Sequence, residues 1–481
     1  MSRSSVVVVG GGISGLAAAW ELSGGADGPT SDTPRIEVLE ASEHLGGSLA
    51  TTTFAGRTID LGADGFLARR PEAVMLAAEL GLADDLEPIA ASGAWLWSLG
   101  ALHELPRDLV LGVPTNLRSI LAFKGVTWRA HLAARRDAYV PARLHVGADA
   151  SIGEIVRTKL GAELAYRFVE PMIGGIQAGR IDGLSAKSVF PALYEAAKKG
   201  GSLMKALRPS GPASPGPASE RVATGPVFYS LQHGVGSLAS ELVLQLVQRG
   251  VVIRRGIAVT AIRRTPAGSY PLEVDSSRTT TPANAVILAT SAPVVGSLVG
   301  SLDPDLAELR GVIAASTGMV TFALARNNME LPSEGTGILV PLETPWREGS
   351  SMMVTAVTFL DRKWPRLQRE DDVIIRAHVG RIDDQRFMDL SDDELTRRVV
   401  DELAVLLPRF DTPTASLVQR WLDGLPQYRV GHEQLVEKAR IAAGRFALFL
   451  AGNAYDGVGI PASIGSGRNA AREVLASMKK T

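Results

Sequence analysis

The sequence predicts an α/β fold, α+β when taken whole, built around a Rossmann-like dinucleotide-binding domain. Three observations predict it. The valine run Val6 to Val9 leads directly into Gly10-Gly11-Gly12-Ile13-Ser14-Gly15 and an Ala-rich stretch. A second apolar run, Ile36 to Leu39, ends on the acid Glu40. Strand-like runs then return far along the chain, at Val251 to Arg254, Ala285 to Ala289 and Ala447 to Ala451. The nucleotide-binding domain is therefore expected to be assembled from distant pieces, with other domains looped out between them.

The first unit reads as strand Val6 to Val9, glycine turn, helix Leu16 to Leu22, polar loop Ser23 to Pro34 and strand Ile36 to Leu39. Its glycines stand at the first, third and sixth places of a GxGxxG pattern. Gly10 permits the tight turn, Gly12 admits a pyrophosphate to the backbone, and Gly15 lets helix and strand approach closely. The start of the helix offers free amides and partial positive charge to the phosphates. Glu40 is placed to accept hydrogen bonds from ribose hydroxyls, which favours an unphosphorylated adenosine ribose and disfavours NADP.

The bulk properties narrow the chemistry. A chain of 481 residues, 46% hydrophobic and 21% charged, can bury more than one core. A formal net charge of -1, with no zinc-spaced Cys/His set, argues against nucleic-acid binding. With no cysteine, the chain has no disulfide, thiolate nucleophile or Cys-ligated metal, so redox chemistry must come from an organic cofactor. No metal site is expected. The glycines at 10 to 12 break what could otherwise pass for an export signal, and no apolar run reaches the roughly 18 residues of a membrane span. A cytoplasmic protein is expected, either free or peripheral on the inner face of the membrane.

Two stretches stand apart. Arg208 to Pro226 is dense in Pro, Gly, Ser and Ala and reads as a passive insertion or a lid. Arg118, Lys124, Arg129, Arg135, Arg136 and Arg143 are opposed only by Asp137. That cluster reads as a solvated helical face, or as attraction to an anionic membrane or a partner enzyme.

The residues after Glu40 decide between nicotinamide and flavin. Glu43-His44-Leu45-Gly46-Gly47-Ser48 and Asp60-Leu61-Gly62-Ala63-Asp64-Gly65-Phe66 resemble two signatures of the amine-oxidase and protoporphyrinogen-oxidase flavoproteins. His44 stands where that superfamily usually has Arg. Near the other end, Phe449 to Pro461 passes from a strand through a glycine-rich turn into a helix whose start would face the flavin. Further segments are similar to the protoporphyrinogen and coproporphyrinogen oxidases of haem synthesis, nearest to the bacterial coproporphyrinogen branch. These are Glu170 to Gly179, Arg420-Trp421 with Pro426 to His432, Asn453 to Pro461, and Lys363-Trp364-Pro365 before Arg376 to Gly380.

The resemblance implies a fold of the amine-oxidase flavoprotein type: residues 1–75, 227–300 and 418–481 binding FAD; 76–105, 180–226 and 301–417 forming a mixed-sheet substrate domain; and 106–179 forming a helical domain facing a membrane or partner. It implies FAD contacts from Gly10, Gly11, Gly12, Ile13, Ser14, Gly15, Glu40, Ala41, Gly47, Ser48, Gly62, Ala63, Asp64, Gly65, Val259, Trp421, Gly452, Asn453, Val458, Gly459 and Ile460. Porphyrinogen contacts are implied for Arg70, Gly175, Ile176 and Tyr428. The implied reaction is oxidation of coproporphyrinogen III to coproporphyrin III in three two-electron hydride transfers to FAD, with dioxygen as acceptor and hydrogen peroxide as product. Protoporphyrinogen IX oxidase and flavin amine oxidase are the alternatives, and a ferrochelatase contact is a further expectation. Where the mitochondrial enzymes carry an arginine ahead of the Leu102 to Pro106 segment, Ala94 stands here, so carboxylate recognition must differ. No dedicated general base is singled out.

Overall fold

A computed structural model describes residues 4–140, 144, 146–208, 226–265 and 271–479. The strand Ser5–Val9 is buried at every position, as expected of a parallel strand covered on both faces. Among the described residues, five strands form a parallel sheet in the order Val252–Arg254, Arg35–Leu39, Ser5–Val9, Ala285–Leu288, Leu448–Leu450. The late strand-like runs thus join the first two, each within a residue or two of its expected limits.

Val6, Val8, Ile36 and Val38 face a core closed by the helices Ile13–Leu22, Gly236–Gln248 and Ile460–Met478. Val7, Val9, Val286 and Leu288 face the opposite core. There they meet a small antiparallel sheet of Val259–Arg264, Leu272–Ser276 and Thr280–Ala283. The first helix starts at Ile13, earlier than the expected Leu16. It meets the last helix backbone to backbone: a Cβ on Gly467 would lie 1.9 Å from the Ser14 carbonyl oxygen.

The second sheet runs Ala415–Pro426, Ala314–Ala325, Asp372–Val379, Val354–Phe359, Gly337–Leu339, Trp95–Ser98, Ala101–Glu104. It is antiparallel except where Gly337–Leu339 pairs in parallel with Trp95–Ser98, so the expected mixed sheet is present. The strand Ala415–Pro426 lies wholly within it. Position 418, where the last segment of the FAD-binding domain is expected to begin, falls within that strand. A helical region includes Trp128–Tyr139, Ile152–Leu164 and Glu170–Gln177 around its own core.

Most of the Pro/Gly-rich stretch 208–226, and Arg143 of the basic cluster, lie outside the described residues. No helix among the described residues is long and apolar enough to cross a membrane.

Candidate active site

The nucleotide end of the site follows from glycine packing. Gly10 has φ of +108°, and a Cβ there would lie 2.6 Å from the Ala289 carbonyl oxygen. At Gly15 a Cβ would lie 1.9 Å from the Gly10 carbonyl oxygen. The helix Ile13–Leu22 begins at Gly12 with no side-chain cap, so its first-turn amides are free to meet an anion. A second glycine loop closes on it: the Gly46 N–H donates to the Gly11 carbonyl at 2.8 Å, and a Cβ on Gly12 would meet nothing nearer than the Gly47 Cα at 4.0 Å. This narrow, side-chain-free cradle is what a pyrophosphate requires. His44 is exposed beside it, and Ser48 sits where its carbonyl would crowd any Cβ on Gly62.

Beyond the cradle, a cleft of about 220 Å³ is lined by Gly10, Glu40, Ala41, Val259, Thr290 and Leu298, among others. Glu40 accepts from the Gly11 N–H at 2.6 Å and from the Ser42 N–H at 2.8 Å. Two acceptor positions of its carboxylate remain for a ribose. Thr290 Oγ1 is buried in the cleft wall without a partner, as a group awaiting a ligand would be. On these grounds the residues present fit an adenosine diphosphate moiety.

At the other end, the Gly62 to Gly65 segment runs under one face of the mixed sheet. The buried guanidinium of Arg376 donates to the carbonyls of Asp60 and Gly62, and the Trp421 indole N–H donates to the Leu61 carbonyl at 2.9 Å. Asp64 takes Lys363 Nζ at 2.7 Å and the Trp364 indole N–H at 3.2 Å. Burial opposes the charge on Asp64, but Lys363 and Arg376 outweigh it and hold the carboxyl well below its usual range. The facing turn, Gly452 to Gly459, leads into the uncapped start of the helix Ile460–Met478. Asn453 is tied to the Gly424 carbonyl at 3.0 Å, while Val458 is half-buried and Gly459 exposed.

Strand register supplies the roof. Thr321 and Met319 pair with Arg376 and His378. Gln419 pairs with Met319 and Trp421 with Thr317; Ala356 and Thr358 pair with His378 and Arg376. These residues share one face, since their alternates Val320, Phe322, Val357, Ile375 and Ala377 fill the core on the other. Thr317, Met319, Ala356, His378, Gln419 and Trp421 are only half-buried, so this part of the face is left incompletely covered. The helix Glu170–Gln177 packs beside the strands Gly337–Leu339 and Val354–Phe359. On it Gly175 is exposed with no atom within 4 Å of a built Cβ, and Ile176 is 47% exposed. Sequence reasoning assigned none of Met319, Gln419, His378 and Arg376 to the site, although Arg376 and His378 lie in one of the segments that carry the resemblance. The available signal was the alternation of polar Arg376 and His378 with buried apolar neighbours.

Arg70 lies beside the Gly452 to Gly459 turn, with Nη2 3.2 Å from Glu72 Oε1 and Nη1 3.9 Å from the place of a Cβ on Gly457. Tyr428 is placed differently from the pocket-lining residues. It is buried and stacked on His432 with ring centroids 4.3 Å apart. Its hydroxyl donates to the Asn453 carbonyl and accepts from the Gly457 N–H at 2.9 Å.

Two glycine loops, a nucleotide cleft and a sheet-roofed chamber at the far end define an FAD-dependent oxidoreductase. The model of the family "flavin containing amine oxidoreductase" matches residues 13–475, and the chain belongs to that family. It is 32% identical to the coproporphyrinogen III oxidase of Mycobacterium leprae, over 100% of both chains. To the enzyme of that name from Bacillus subtilis it is 29% identical, with 98% of each chain covered. The same figures, 29% and 98% of each, hold for the protoporphyrinogen oxidase of Macaca fascicularis. A crystal structure of a candidate protoporphyrinogen oxidase from Exiguobacterium sp. 255-15 superposes with a TM-score of 0.85 at 30% identity, covering 99% of this chain and 100% of the other.

Proposed function

We propose that the chain oxidises coproporphyrinogen III to coproporphyrin III in haem biosynthesis, in three two-electron rounds with dioxygen as acceptor and hydrogen peroxide as product. What supports this reading is the half-buried face of the mixed sheet above the Gly62 to Gly65 segment, with Gly175 and Ile176 exposed on the helix beside two of its strands; a flat macrocycle would lie between them. The names of the relatives agree with it. FAD, when bound, would supply the hydride acceptor for a meso carbon of the substrate.

The protein's part is to hold and orient. The amides of Gly11, Gly12, Ile13, Ser14 and Gly15 would bind the pyrophosphate, with Gly47 and Ser48 closing over it, while Glu40 takes the ribose and Ala41 and Val259 flank the adenine. Gly62, Ala63, Asp64 and Gly65 would support one side of the flavin, fixed from above by Arg376 and Trp421. Gly452, Asn453, Val458, Gly459 and Ile460 would present the start of the last helix to its edge, where the free amides stabilise negative charge. Arg70, beside the same turn, would meet a propionate. In this reading Tyr428 acts as a brace for the Gly452 to Gly459 turn, since both functions of its hydroxyl are already engaged.

Comparing turnover of the tetracarboxylate coproporphyrinogen with that of the dicarboxylate protoporphyrinogen tests the reading. Coproporphyrinogen is expected to be the faster, and a preference for protoporphyrinogen would reverse the assignment. Peroxide release on amines but on neither porphyrinogen would instead make the chain an amine oxidase.

Peripheral attachment to an anionic membrane face belongs to the same proposal. The helix Trp128–Tyr139 exposes Trp128, Leu132 and Tyr139 together with Arg129, Arg135 and Arg136, a composition suited to a lipid interface. Asp137, the one acid in the cluster, is fully buried and accepts from Ser202 Oγ at 2.7 Å, so it does not offset these charges at the surface. Co-flotation with phosphatidylglycerol vesicles, lost in high salt, is the expected result. The ferrochelatase contact stands as a proposal on the resemblance alone.

A further inference from the structure

Each round of porphyrinogen oxidation removes a hydride and also a proton, and the proton needs an acceptor in the chamber. The described side chains around the roof and its flavin-side segment offer few. Arg376 is a permanent cation whose guanidinium is committed to Thr321 Oγ1 and the carbonyls of Asp60 and Gly62. Asp64 has one oxygen on Lys363 and the other on Trp364. Thr317, Met319, Gln419 and Trp421 have no basic group at neutral pH.

His378 differs. It lies on the chamber face beside Arg376, half-buried, with Nε2 3.1 Å from Thr358 Oγ1. When Nε2–H donates to that hydroxyl, Nδ1 carries the free lone pair, and it has no hydrogen-bond partner among the described residues.

We infer that His378 is the proton acceptor of the reaction, with Nδ1 as the receiving atom. This inference rests on the porphyrinogen reading. The meso C–H bond breaks and its electron pair leaves with the hydrogen for FAD. The positive charge left on the macrocycle makes an adjacent pyrrole N–H strongly acidic. The pyrrole nitrogen lone pair shares that charge and forms the new C=N bond; the N–H bond then breaks towards Nδ1, and its electrons stay on nitrogen as the imine lone pair. Hydride equivalent and proton leave together as hydrogen peroxide when dioxygen is reduced, so each round balances. A weak neutral base suffices because the acid it faces is strong. The charged groups around the ring are Arg376 on the same strand, Asp64 on the flavin-side segment and Lys363 beside it. Burial first, and Arg376 second, push the imidazole down to about 4, so it is neutral throughout the physiological range and returns its proton readily.

The test compares the holoenzyme with its His378→Ala and His378→Asn variants, following coproporphyrin fluorescence and peroxide. Both variants are expected to keep the wild-type flavin absorbance and FAD content, and the wild-type thermal midpoint above neutral pH, with KM within about threefold and kcat lower by roughly 100-fold or more. Added imidazole should restore a large part of the His378→Ala rate, more so as pH rises through imidazole's own titration. His378→Asn, which can still donate to Thr358 but has no basic nitrogen, should remain slow. Wild-type-like turnover in either variant, or a deficit in His378→Ala that imidazole leaves unchanged, would overturn the inference while leaving the substrate reading intact. Absence of porphyrinogen turnover by the wild type would overturn both.

Discussion

Single residues in this site divide into those that face open space and those whose polar atoms are already engaged. Arg70 belongs to the first group. Its side chain is 44% exposed and pairs with Glu72 at 3.2 Å near the surface, a partner it can exchange for a substrate carboxylate at little cost. Arg70→Ala is expected to raise KM for coproporphyrinogen about tenfold, or about 1.4 kcal/mol, with a smaller effect on kcat; unchanged steady-state kinetics would remove Arg70 from the site. Tyr428 belongs to the second group. Tyr428→Phe leaves the Gly457 N–H and the Asn453 carbonyl without their partner, a cost of about 1–3 kcal/mol. That loss should show as a lower thermal midpoint and weaker FAD retention, with KM little changed. Glu40 was legible because its role follows from its place at the end of a strand. The bracing role of Tyr428 was not, since its partners lie 25 and 29 residues further on in sequence.

Among the elements, the two helices that would meet the cofactor are joined through glycines. Gly467→Ala would set a methyl group 1.9 Å from the Ser14 carbonyl oxygen, against backbone that cannot swing aside. The helices must then separate, carrying their free amides away from the cradle. FAD content after purification is expected to fall sharply in Gly467→Ala, and a fully loaded variant would contradict the account. Gly15 could be read from its motif position. Gly467 could not, because its constraint comes from a helix at the far end of the chain. Asp137 shows the same limit in the helical region. As sequence it counts against a basic cluster, whereas in the fold it accepts from Ser202 Oγ, Leu203 N–H and Met204 N–H and joins two helices.

Taken as a whole, the molecule couples protonation to stability at the chamber roof. His378 titrates near 4 when folded and near its ordinary 6.5 when unfolded. The unfolded chain therefore binds more protons in that window, and this contribution to stability is present above about 6.5 and lost as pH falls towards 4. Wild type should lose thermal stability more steeply than His378→Asn across that range, and parallel midpoint-against-pH curves would refute the assignment. The parallel sheet was largely legible, since each strand shows an apolar run beside a turn signal. The mixed sheet was not. Trp95–Ser98 pairs on one edge with Gly337–Leu339, more than two hundred residues later, and register of that kind is set by packing rather than by local pattern.

The central strand Ser5–Val9 sits between Arg35–Leu39, its neighbour in sequence, and Ala285–Leu288, which is bordered in turn by Leu448–Leu450. For a chain emerging from the ribosome, this sets a timetable. The first glycine loop is made early, but the strand that flanks it, and then the helix Ile460–Met478 that locks it, arrive only late in synthesis. Throughout that interval the valines of the central strand have a partner on one edge and a bare edge on the other. The nascent chain is therefore most prone to mispairing during translation, and FAD can serve as a ligand that traps the fold only once the last helix has cleared the exit tunnel.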